Sequence, residues 1–141
     1  MYENYSRQAL PSKDYRELLG SAICVFNSNN AFIIENILHN DFDNRYNWYD
    51  LIDMTSGQLK TPVATTITKN AGPEIASLFD ELVLKRNRIM HSFQITDKDG
   101  EQRLATKDKS NHQYVITESY LLDFITDNQK LSSALYELRG Y

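Results

Sequence analysis

The stretch Pro73-Glu74-Ile75-Ala76-Ser77-Leu78-Phe79-Asp80-Glu81-Leu82-Val83-Leu84-Lys85-Arg86-Asn87-Arg88-Ile89-Met90-His91-Ser92-Phe93 decides the fold. Ile75, Phe79, Leu82, Arg86, Ile89 and Phe93 recur every three or four residues, with Leu78, Val83 and Met90 alongside. That period is the mark of an amphipathic helix. Pro73 and Glu74 suit its start, and Lys85, Arg86, Arg88 and His91 near the far end suit the negative pole of its dipole. Arg86 falls inside the apolar stripe. A guanidinium there needs an acceptor or a seam, because burying it unpaired is costly.

The end of this helix also carries the chemistry. Arg86 offers a rigid fork of donors that matches phosphate oxygens, and His91 can carry a proton near neutral pH. At about 100° per residue, Asn87 and His91 share a face while Arg86 and His91 point roughly 140° apart. Arg86 and His91 therefore converge best on something lying across the helix, such as a second copy of it. A homodimer is expected, with the site at its interface.

Working outward, Ser12 reads as a cap for a helix over residues 13–39, with Tyr15, Leu19, Ile23, Phe26, Asn30, Ile33 and Ile37 on one stripe. Asn27-Ser28-Asn29-Asn30 interrupts its apolarity. Such residues compete for backbone hydrogen bonds, so a kink, a break into two helices, or a polar patch facing a partner or a ligand is expected there. Residues 39–44 form a turn cluster, and Tyr46 to Met54 an aromatic-rich short helix. Thr61-Pro62 predicts the start of a short helix to Asn70, although its β-branched residues would also suit a strand. After the focal helix, residues 92–96 and 101–106 flank Asp-Lys-Asp-Gly, a hairpin signal, and Gln113 to Ile116 reads as a third short strand. Thr117 caps a last helix closed by Gly140.

The expectation is a mainly α chain: one domain over 1–141, an up-and-down helical bundle with a small β-hairpin insertion (94–116) before the last helix, and an irregular segment over 1–11. The 141 residues suffice for a core without cross-links. Cys24, the only cysteine, leaves no internal disulfide and is expected to be packed among Ala22, Ile23, Val25 and Phe26. No signal-peptide core or membrane-length apolar run is present, so a cytoplasmic protein with no membrane partner is expected. The net charge of −4 argues against a general nucleic-acid coating protein. It is unevenly spread, however. Residues 85–109 hold seven basic and four acidic side chains, leaving the rest of the chain strongly acidic.

Metal sites find little support. His39, Asp41 and Asp43 alternate in a way that suits no helix face. Asp97, Asp99 and Gly100 lack the glycine spacing and closing glutamate of a calcium loop. No cofactor or metal is expected.

Arg86-Asn87-x-x-x-His91, late in an amphipathic helix with a long helix before it and a final helix after it, resembles the R-x4–6-H motif of the HEPN superfamily. The resemblance implies a metal-independent endoribonuclease in a toxin–antitoxin or anti-phage setting, working as a dimer whose two motifs face one cleft. It implies attack of an RNA 2′-hydroxyl on the neighbouring phosphate, leaving a cyclic phosphate. His91 would move the proton, Arg86 would hold the phosphate and Asn87 would orient His91. Arg88 and Lys85 would add phosphate contacts. The alternative is a catalytically inactive HEPN-like module that dimerises or binds a partner such as an antitoxin or a nucleotidyltransferase.

Overall fold

The structure, a computed structural model, describes residues 1–140. Helix α1 runs over Lys13–His39, with the Ser12 hydroxyl accepting from the Tyr15 amide. It passes through Asn27–Asn30 without a break. The polar side chains there are satisfied sideways instead of against their own backbone. Asn29 is buried, and its Nδ2 donates to the backbone oxygen of Asn128 at 2.8 Å and to its Oδ1 at 3.1 Å. Asn30 accepts from Ser56 Oγ at 2.9 Å. Asn27 and Ser28 face solvent. Cys24 is exposed rather than packed. It sits two residues, about 200°, from both buried Ala22 and buried Phe26, which places it on the opposite side of the helix.

Helix α2, Trp48–Asp53, is capped by Asn47. Residues 56–71 form one irregular helix, α3, starting earlier than Thr61-Pro62 suggests because Thr55 and Gln58 make a reciprocal capping box. Pro62 then lies within the helix, where it has no N–H to donate. The next turn, Ala64–Thr68, widens to π geometry. The hydroxyls of Thr65 and Thr66 both bond back to the Pro62 carbonyl, at 3.3 and 2.6 Å. Hydroxyls that take up backbone carbonyls in this way commonly bend a helix.

Helix α4 covers Glu74–Met90 and stops before Phe93, with His91 as its C-cap. Ser92 ends it: its hydroxyl donates to the Ile89 carbonyl at 2.6 Å. Strands β1 (Phe93–Thr96), β2 (Gln102–Lys107) and β3 (Gln113–Ile116) make an antiparallel sheet in the order β1-β2-β3. The insertion is thus a three-stranded meander, the hairpin joined by the third strand expected at Gln113–Ile116. Gly100 supplies the positive φ in the first turn, while both Asp99 and Glu101 amides donate to Asp97 Oδ1. Helix α5, Glu118–Arg139, is capped by Thr117 and closed by Gly140 in the left-handed conformation. Among the described residues, no helix is long and apolar enough to cross a membrane.

The chain is mainly helical. Phe26 of α1 stacks with Phe79 of α4 at 6.2 Å and with Phe124 of α5 at 6.1 Å between ring centroids, so one ring joins the three long helices. Tyr15, 0% exposed, joins the sheet to them. Its hydroxyl donates to the Ile116 carbonyl at 2.6 Å and accepts from the Leu104 amide at 3.2 Å. The Arg103 guanidinium lies over its ring at 4.8 Å.

Replacing Tyr15 by Phe keeps the ring and strands both buried partners, so the expected loss is about 1–3 kcal/mol. Chemical denaturation should show a lower midpoint at unchanged slope. Burial pushes the Tyr15 hydroxyl above the ordinary tyrosine range. The folded state therefore keeps this proton more tightly than the unfolded chain. The contribution is full below about pH 10 and is lost as pH rises beyond it. Tyr15→Phe should flatten part of that alkaline fall.

Candidate functional site

The last turn of α4 spreads its polar side chains in three directions. Lys85 turns toward α5, where its Nζ meets Asp127 Oδ2 at 2.7 Å. Arg88 turns toward the sheet and donates from Nη1 to the Lys107 carbonyl at 2.7 Å. Arg86 turns inward and is half-buried. Its guanidinium carbon lies 5.8 Å from the centroid of Phe26, and its Nη1 donates to Asn87 Oδ1 at 3.3 Å. Among the described residues, no carboxylate pairs with Arg86. A ring face and one amide oxygen leave most of its five donors and its whole charge unspent.

His91 is exposed, and its backbone amide donates to the Asn87 carbonyl at 2.9 Å. That bond places Asn87 and His91 one turn apart on one face. No imidazole hydrogen bond is formed among the described residues. Asn87 is the link, because its carboxamide touches Arg86 and its backbone holds the cap at His91. The structure thus brings Arg86 to Asn87 and Asn87 to His91. Lys85 and Arg88 lie to either side, each engaged by a neighbour.

Residues beyond the motif complete this surface. Leu84 and Met90 are 60% and 50% exposed, so Met90 does not join the buried stripe. Leu84, Asn87, Arg88 and His91 fall on one outward face of α4 by the 100° rule. Beside Arg88, Tyr120 of α5 meets Tyr114 of β3, ring centroids 6.2 Å apart. Burial first, then Tyr114, raises the Tyr120 hydroxyl far above its ordinary range, opposed by the Arg88 charge. Nothing in the local pattern of residues 114–120 marks this pair, which strand pairing brings together with the end of α4. A separate groove of about 550 Å³ between α1 and α5 is lined by Ser28, Asn29, Phe32, Glu35 and Tyr136, among others. It contains no residue of 85–91.

No family model matches the chain, and neither a curated protein nor a solved structure matches it significantly. Lys85 and Asp127 give one direct check of the site's geometry. The Lys85 hydrogen bond holds the Asp127 carboxyl below its usual range. A depressed folded value means stability that is present above about pH 4 and lost as pH falls through the folded value. The side chains are 39% and 32% exposed, so solvent screening keeps the contribution under about 1 kcal/mol. Asp127→Asn should remove that part of the acid dependence in pH-dependent denaturation and release Lys85 toward the face of α4.

Proposed function

We propose that the protein is an endoribonuclease that acts as a homodimer and needs no metal ion for the chemical step. The observation that carries this reading is Arg86, a half-buried guanidinium with no carboxylate partner among the described residues, tethered by Asn87 ahead of a His91 whose imidazole makes no hydrogen bond among them. A cation kept free of anions at this depth suits an anionic ligand. A phosphodiester fits the planar fork. Exposed Leu84 and Met90 flank the polar residues and offer apolar contact to a second α4.

In the proposed reaction the RNA 2′-oxygen bonds to the adjacent phosphorus as the P–O5′ bond breaks. His91 of one copy takes the 2′-hydroxyl proton, and His91 of the second copy protonates the departing 5′-oxygen. The products are a 2′,3′-cyclic phosphate and a 5′-hydroxyl. Arg86 binds the non-bridging oxygens and stabilises the charge that grows on them. Asn87 is a positioning residue that holds Arg86 in register with the cap. Arg88 reaches the neighbouring phosphate with the donors that Lys107 leaves free. Toxin–antitoxin or anti-phage defence is the setting the resemblance to HEPN proteins implies, with an antitoxin or nucleotidyltransferase as partner.

A second reading, an inactive docking module, draws on the engagement of Lys85 by Asp127, which removes one cation from the face. Incubating the full chain with RNA in excess EDTA separates the two. The nuclease reading expects cleavage that persists under chelation and leaves cyclic-phosphate ends. His91→Ala should lower the rate by about 100-fold or more. Arg86→Lys should lower it too, because an ammonium does not reproduce the fork. Leu84→Glu should reduce dimerisation and activity together. A folded dimer that cleaves none of several RNAs is the result of the inactive module.

A further inference from the structure

Directly paired strand residues share a face of a sheet. Gln94, Leu104 and Ile116 form one cross-strand row, and Leu104 and Ile116 pack into the core. The adjacent row, Phe93, Ala105 and Val115, therefore points away from the bundle. Phe93 is 46% exposed and Val115 37%, while the small Ala105 between them is covered at 0%, so Phe93 and Val115 are the open parts of this row. The next pair on that outer face is Lys107 with Gln113, both exposed. His91 precedes Phe93 by two residues, at the end of the sheet where Lys107 lies, and the Arg88–Lys107 hydrogen bond closes the gap between α4 and β2. One surface thus runs from Asn87 and His91 across Phe93 to Lys107.

We propose that this outer face of the sheet is a stacking platform for single-stranded RNA, feeding the strand into the Arg86–His91 end of α4. The inference rests on the ribonuclease reading for its substrate and adds the residues that hold nucleotides flanking the cut. Phe93 presents a ring face that any unpaired base can stack on. Lys107 and Arg88 supply the charge. Lys107 Nζ is held by the Asn111 carboxamide at 2.9 Å and Arg88 by a carbonyl, both neutral acceptors, so neither cation is cancelled. A ring beside two adjacent cations is a pattern that holds a single strand, whose bases are free to splay. A duplex hides its base faces. A phosphate backbone brings the charge complementary to Lys107 and Arg88.

The test is fluorescence anisotropy of a short labelled single-stranded RNA with 2′-O-methyl groups, which remove the nucleophile, titrated with the full-length chain. Phe93→Ala should weaken binding about tenfold, and Phe93→Tyr should keep it within about twofold. Phe93→Leu should behave as the alanine variant, separating stacking from simple apolarity. Lys107→Gln should lower affinity and reduce the slope of log affinity against log salt by about 0.7. Circular dichroism of each variant controls for folding, and Phe93 is exposed enough that the fold should hold. If Phe93→Ala leaves binding unchanged while His91→Ala abolishes cleavage, the platform is overturned and the nuclease reading stands. If no RNA is cleaved but binding still depends on Phe93, the platform stands and the nuclease reading falls. Loss of dimer in Phe93→Ala by sedimentation, or equal affinity for duplex, overturns the platform.

Discussion

One buried oxygen, the Tyr15 hydroxyl, holds two parts of this protein together. It lies between the Leu104 amide and the Ile116 carbonyl, which are registered partners on β2 and β3, and it is carried by the first turn of α1. Lacking that hydroxyl, the two strands would present a buried donor and acceptor with no other partner from α1, at a cost comparable to a lost hydrogen bond each. The consequence reaches α4. Only His91 and Ser92 separate α4 from β1. Tyr15 thus anchors the sheet that the chain enters two residues after α4 ends.

The bundle interior uses the same device between α1 and α5. Asn29 and Asn128 sit at the packing surface of two helices that are otherwise apolar there, with Asn128 Nδ2 returning to the Phe124 carbonyl. A buried amide pair contributes little net free energy, but it disfavours any sliding of one helix along the other, because a shifted register strands the Asn29 Nδ2 donor and the Asn128 Oδ1 acceptor. Asparagines that read as a threat to α1 thus fix its pairing. The gain is specificity of register more than stability.

How far the sequence could be read follows from this. The three long helices and the strands came out of periodicity and caps to within a few residues, since those signals are local. Phe93 continues the helical spacing of Ile89, and only the Ser92 hydroxyl and the pairing of Phe93 with Ala105 assign it to a strand. Cys24 has apolar neighbours in sequence, yet helical geometry turns it outward. At the candidate site, the separation of Arg86 from the Asn87–His91 face was legible from angle alone. The partners of Lys85 and Arg88 were not, because Asp127 and the Lys107 carbonyl lie 42 and 19 residues away in the chain. Local patterns state what a residue needs. Tertiary packing decides which neighbour provides it.

The two halves of the candidate site are held by different means, and this bears on what it can do. Arg86 rests on Phe26, and Phe26 is stacked between Phe79 and Phe124, so the guanidinium is seated on the central ring of the core. His91 is held by backbone hydrogen bonds at the helix cap and by the sheet that Tyr15 anchors. Asn87 spans the interval between them. Neither half lies on a long loop, so the separation of cation and imidazole is set by helix geometry rather than adjusted by a mobile segment. On an ideal helix the two positions point about 140° apart, so the proposed site does not close on one phosphate within a single copy. The proposed ribonuclease reading therefore calls for a second rigid element carrying the complementary half, and a copy of the same helix is the simplest one that does.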